Sequence, residues 1–145
     1  MNPQQEISDI IQWYYNLPGD YNLIMVLHEK SRKLAALLAF YLKDLNDNNR
    51  MASNAEIKYD TNQDRIERDN HSEGVMKAKT IAKLQTEGDL IHKADCKLLK
   101  EESANFLKQA NRVHDDIRSW ITTLRAEKFK TNYDYDSDKQ ESRQD

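Results

Sequence analysis

Glycine and proline are nearly missing from this 145-residue chain, with three of the first and two of the second. Few turns can therefore interrupt regular structure, and the glycine-rich loops that cradle phosphate groups are excluded: neither Gly-x-Gly nor Gly-Lys-Ser occurs. Cysteine is limited to Cys96, which rules out an intramolecular disulfide. The start, MNPQQEISDI, lacks the basic residues and apolar run of a secretory signal, so a reducing cytoplasm is the expected location. Long hydrophobic runs are also lacking. Leu34 to Leu42 is the longest, about half of the roughly 20 residues a bilayer span requires, so no membrane span is expected. Aromatic residues make up 8% and hydrophobic residues 38%, too few to fill a large globular core. No charge of one sign dominates, and the net charge of −3 leaves any attraction for nucleic acid to a local patch.

What the chain has instead is charge in both signs, 32% of all residues, the composition of long solvated helices that bury one stripe. Asn2-Pro3 reads as an N-cap followed by proline at the first helical position, and Ile7, Ile10, Ile11 and Tyr14 share one face, predicting a short helix over 3–16. Pro18-Gly19 predicts a tight turn, with Asp20 or Asn22 to cap the next helix. That helix is long, predicted over 23–72, with Leu27, Leu34, Leu38, Tyr41 and Leu45 along one side. Asn46-Asp47-Asn48-Asn49 is its weak point, because short polar side chains compete for the backbone; continuity and a break there both stay open. Gly74 suits a left-handed turn between this helix and its successor.

A further long helix is predicted over 75–130. Leu99, Phe106, Ala110, Val113, Ile117, Trp120 and Leu124 make a heptad seam from which only Ser103 is missing. Ile81, Leu84, Ile91 and Leu98 extend an apolar stripe one position out of phase, which predicts a bend or register shift near Gly88. Residues 131–145 carry five acidic against two basic residues and no periodicity, predicting an acidic disordered tail. The expected fold is all-α: one domain over 1–130, a long helical hairpin with a short N-terminal helix and coiled-coil-like packing, held together as a homo-oligomer because a core this small needs support.

Catalytic constellations are not found. Glu101-Glu102 and Asp115-Asp116 are adjacent and diverge around a helix, and no serine has a base beside it in a strained turn. His92 and Cys96 have zinc-ligand spacing on one helix face, but a solvated histidine beside a half-buried cysteine explains them without a metal. The chain is read as a non-enzyme with no cofactor and no metal. Lys79, Lys83, Lys93, Lys97 and Lys100 form a face opposite the Ile81–Leu98 stripe, and between Val75 and Lys100 six lysines stand against three carboxylates. Such a patch suits the backbone of single-stranded nucleic acid, with Tyr59, near Lys58, Arg65 and Arg68, as a stacking platform; the same lysines also fit an ordinary solvated helix face. Trp120 lies on the seam and reads as packing, while Trp13, Tyr14 and Tyr15 can staple the first helix onto a neighbouring subunit.

The order and pattern of these segments resemble the UvsY-type recombination mediators of tailed phages. The resemblance runs from about Leu23 to Phe129: KLAALLAFYLKDL at Lys33–Leu45, AEIKYD from Ala55, DRIERD from Asp64, VMKAKTIAKL from Val75, then KADCKLLKEES and DIRSWITTLRAE. It implies a non-enzymatic oligomer that binds single-stranded DNA and helps load a recombinase onto strands covered by single-strand binding protein. By position, the implied DNA contacts are Lys58, Arg65, Arg68, Lys77, Lys79 and Lys83, with Tyr59 beside them. The helix-pairing seams, Leu34, Leu38, Tyr41 and Leu45 with Phe106, Val113, Ile117, Trp120 and Leu124, would bear the oligomer interface. The acidic insertions Asp60, Asp64, Glu67 and Asp69, the first helix and the acidic tail depart from the family's pattern. The alternative from another class is a coiled-coil scaffold or regulatory adaptor that binds only protein.

Overall fold

A computed structural model describes residues 2–141, with side chains as far as 130. Among the described residues there are four α-helices, one short 3₁₀ turn and no strand: α1 (Pro3–Tyr15), α2 (Ile24–Asp69), the 3₁₀ turn (His71–Glu73), α3 (Val75–Gln85) and α4 (Glu87–Glu141). The all-α architecture is as the patterning predicts, with two long helices packing against each other and a short helix ahead of them. The chain divides into two compact units, one of residues up to Tyr41 and from Lys108 onward, the other Leu42–Leu107, and α2 and α4 contribute a part to each.

In the first unit, α1 starts as its sequence dictates. Asn2 Oδ1 accepts from the Gln4 N–H at 3.1 Å, and Pro3 needs no partner at the first helical position. Ile7, Ile10 and Ile11 are buried. At the turn after α1 the Tyr21 N–H donates to the Pro18 carbonyl at 3.1 Å, so Pro18 opens the turn rather than occupying its second position. Gly19 keeps a negative φ, and the first turn of α2 closes on the Leu23 carbonyl, which accepts from Leu27 at 3.1 Å. Leu27, Leu34, Leu37, Leu38 and Tyr41 of α2 and Ala110, Val113, Ile117 and Ile121 of α4 complete the core. Each such aliphatic side chain contributes roughly 1.5–3 kcal/mol by leaving water. Ser31, the polar exception on α2, is matched across the pair by His114, Oγ to Nε2 3.2 Å.

The second unit is built on small residues. Ala52 and Ala55 of α2 meet Cys96 of α4, and Ala78 and Ala82 of α3 are buried as well. α2 runs unbroken through Asn46–Asn49, where Asn48 Nδ2 donates to Ser103 Oγ at 2.8 Å and so gives its amide to a tertiary partner instead of its own backbone. Ser103, the gap in the predicted seam, is itself buried.

Three expectations need correction. The helix predicted over 75–130 is two helices, and the break falls at Thr86, two residues before Gly88. Thr86 is buried, its Oγ1 donates to the Ala82 carbonyl at 2.6 Å, and its own carbonyl accepts from Leu90. The stripe predicted to lie inside is largely outside: Leu84 is 69% exposed and Leu98 55%, with Ile91 similar and Ile81 half-buried. Cys96 and Ser103 face inward instead, Cys96 clustering with the small Ala52 and Ala55 and Ser103 accepting from Asn48. Third, α4 does not stop near Lys130, since its backbone is helical to Glu141; the acidic tail read over 131–145 otherwise falls outside the residues whose side chains the structure describes. Gly74 does take a positive φ of 98° with ψ 149°, joining the 3₁₀ turn to α3 in a backbone region that only glycine enters readily. No helix among the described residues is long and apolar enough to cross a membrane.

Candidate nucleic-acid interface

The residues expected to touch DNA all belong to the second unit, on the C-terminal part of α2 and on α3. Helical spacing places most of their side chains in solvent, and the acidic residues interleaved with them decide which keep their charge available. Lys58 Nζ lies 3.7 Å from Asp89 Oδ1, and the other oxygen of that carboxylate accepts from Asn62 Nδ2 at 2.8 Å. Lys77 Nζ is 3.4 Å from Glu73 Oε2, one helical turn back. These two lysines are offset by neighbouring carboxylates.

Tyr59 is half-buried, and Lys93 stands over its ring with Nζ 4.8 Å from the centroid. Lys93 also reaches Asp60 at 3.9 Å and Glu56 at 4.0 Å. The ring predicted as a stacking platform is thus covered by a cation, and Lys93 points into the unit rather than out with the lysine face. Four of the predicted cations remain: Arg65, Arg68, Lys79 and Lys83 are exposed, and among the described residues none of them lies within ion-pairing distance of a carboxylate. Arg68 borders a shallow groove of 390 Å³ with His71, Val75 and Ala78, where the end of α2 meets α3, and Asp64 and Glu67 share its rim.

The residues read as an interface between copies lie elsewhere than on an open surface. Leu34, Leu38, Tyr41, Leu45, Val113 and Ile117 are buried within the chain's own units, and Phe106, Trp120 and Leu124 are half-buried. Trp13 and Tyr14 also pack within the chain: Trp13 meets Tyr21 edge-on at 6.1 Å, and Trp120 receives Tyr14 at 6.2 Å and Tyr21 at 6.3 Å. Lys30 Nζ sits 5.4 Å from the Trp13 ring centre. Burial, and then the charge of Asp116 together with the hydrogen bond to it, raise the Tyr14 phenol above its ordinary range.

Other chemistry is sparse. Cys96 Sγ lies 3.6 Å from His92 Nε2, and among the described residues no three His, Cys, Asp or Glu side chains gather around a point. One polar cluster was not picked out by spacing in the sequence: His28 and Ser31 of α2 face Arg118 and Arg125 of α4 across a groove in the first unit. These residues lie far apart in the chain and belong to no common motif, so only the spacing of His28 and Ser31 by one helical turn, and of Arg118 and Arg125 by two, hinted at shared faces. No family model matches the chain, and no curated protein and no solved structure is significantly similar to it.

Proposed function

We propose that the protein is a non-enzymatic single-stranded DNA-binding recombination mediator that works as a homo-oligomer, its partners being a recombinase and single-strand binding protein, as its resemblance to the UvsY-type mediators implies. The observation that carries this reading is the set Arg65, Arg68, Lys79 and Lys83, exposed on neighbouring elements of one unit and, among the described residues, without a carboxylate at ion-pairing distance. Four cations on one subunit give weak binding, and repetition in an oligomer converts them into avidity. The exposed Leu84, Ile91 and Leu98 supply apolar surface for such repetition.

Binding of a labelled oligothymidylate across a salt series tests the proposal. Each phosphate contact on a single strand lowers log K by roughly 0.7 per tenfold rise in salt. Replacing Arg65, Arg68, Lys79 and Lys83 by glutamine should flatten the dependence and weaken binding at low salt. A wild-type chain that ignores the oligonucleotide at low salt ends this reading.

A second reading has its own support. Lys58, Lys77 and Lys93 are balanced by carboxylates while large apolar side chains stay exposed beside them, the arrangement of a helical scaffold or adaptor that binds only protein. It predicts multimers, or complexes with a protein partner, with no oligonucleotide bound.

A further inference from the structure

The first unit holds a groove of 720 Å³ on the side of the α2–α4 pair where Ser31 meets His114, and neither the mediator nor the scaffold role uses it. Its floor is formed by two buried residues, Ile121 and Ser31, the latter occupied by its bond to His114 at 3.2 Å. Arg118 and Arg125, seven residues and two helical turns apart on α4, line the groove with His28 of α2. Arg125 Nη2 donates to His28 Nε2, so the imidazole accepts on that nitrogen, and the contact holds the guanidinium at the groove while most of its five N–H donors stay unused. Arg32 extends the cationic lining alongside His28 and Arg125.

Charge decides what fits. Asp115 and Glu29 are the carboxylates of this lining, against three arginines, and among the described residues neither Arg118 nor Arg125 has a carboxylate within ion-pairing distance. Thr122 turns its hydroxyl proton to the Arg118 carbonyl at 3.1 Å, leaving an uncharged wall that offers no competing cation or acid. Two guanidiniums beside a serine hydroxyl, that of Ser119, match a tetrahedral oxyanion, which accepts several parallel N–H bonds at once.

We propose that this groove binds a phosphate group through Arg118 and Arg125. The phosphate belongs either to the backbone of a nucleic acid or to a free phosphorylated compound, and both present the same oxygens. The site uses none of the cations invoked for DNA on the second unit, so it stands or falls separately.

The full chain is titrated with sodium phosphate at constant ionic strength and followed by amide chemical shifts, then titrated likewise with an oligothymidylate lacking terminal phosphates. Saturable shifts around His28 and residues 118–125 are expected in at least one titration. They should weaken at least about tenfold in R118Q/R125Q, since each lost hydrogen bond to a charged group is worth a tenfold factor or more. The K43Q/R50Q variant removes the same charge from exposed positions of the second unit and should bind as wild type does. Helix content and melting temperature establish that R118Q/R125Q is folded; glutamine keeps helix propensity at these exposed positions. Shifts with the oligonucleotide identify a backbone phosphate as the ligand, and shifts with inorganic phosphate alone identify a free phosphate compound; either supports the groove. Shifts that never saturate, or that persist unchanged in R118Q/R125Q, overturn it. Oligonucleotide binding that survives R118Q/R125Q, without shifts in the groove, overturns it while leaving the DNA-binding reading standing. Phosphate saturation with no oligonucleotide binding does the reverse.

Discussion

Tyr14 carries a phenol whose proton the folded chain holds more tightly than water does, because burial and the neighbouring Asp116 both oppose its ionisation. Linkage sets the sign of the effect on stability. A group whose pKa is raised on folding adds stability that is complete below its unfolded value, near 10.0, and that disappears as the pH climbs through and beyond it. Tyr14→Phe should therefore lose less melting temperature than the wild type between about pH 9 and 11. Identical slopes would show that the phenol is not held this way. Ile117 poses a different residue-scale question, being wholly inaccessible at the centre of the first unit. Ile117→Ala should cost about 2–5 kcal/mol in urea unfolding, the usual effect of a core cavity, whereas Ile57→Ala, at a position 63% exposed, should stay within about 0.5 kcal/mol.

At the scale of elements, two weak points in the sequence had opposite fates. The four-residue polar run at Asn46–Asn49 stays helical because Asn48 finds Ser103 across the unit. The α3–α4 junction breaks at Thr86, although Gly88 is the poorer helix former. Nothing in local composition signals the bond from Thr86 to the Ala82 carbonyl or the burial of that side chain. Close packing on alanine makes α3 intolerant of volume. Ala82→Leu should destabilise the chain by about 1–3 kcal/mol in urea unfolding, as overpacking does in tight cores, while Gln85→Leu, exposed three positions on, should not. Equal effects at the two positions would contradict the observed facing of the helix. The lysine face was legible only in part for the same reason: once Cys96 turns inward, Lys93 turns with it onto Tyr59, Glu56 and Asp60, and Lys79 and Lys83 stay in solvent.

For the whole molecule, the distribution of apolar surface is the main physical question. The first unit hides Ile7, Leu27, Leu34 and Ile117, whereas the second hides Ala52, Ala55, Ala78 and Ala82 and leaves Leu84, Ile91 and Leu98 in water. Under the proposed assembly, a triple replacement of these three by serine should keep helix content but lower the mass seen by sedimentation velocity relative to the wild type. A wild-type chain that sediments as one subunit at every concentration would remove assembly from the proposal.

Patterning along the chain was sufficient for the all-α class, the capped first helix, the two long helices and the glycine joint at residue 74, because these depend on local propensity and on periodicity within one helix. Tertiary structure alone decided which face of α3 and of the start of α4 is buried, which cations keep their charge available, and that His28 meets Arg118 and Arg125. Those outcomes depend on the volume and charge that residues distant in sequence present across a helix pair, and a one-dimensional pattern contains neither.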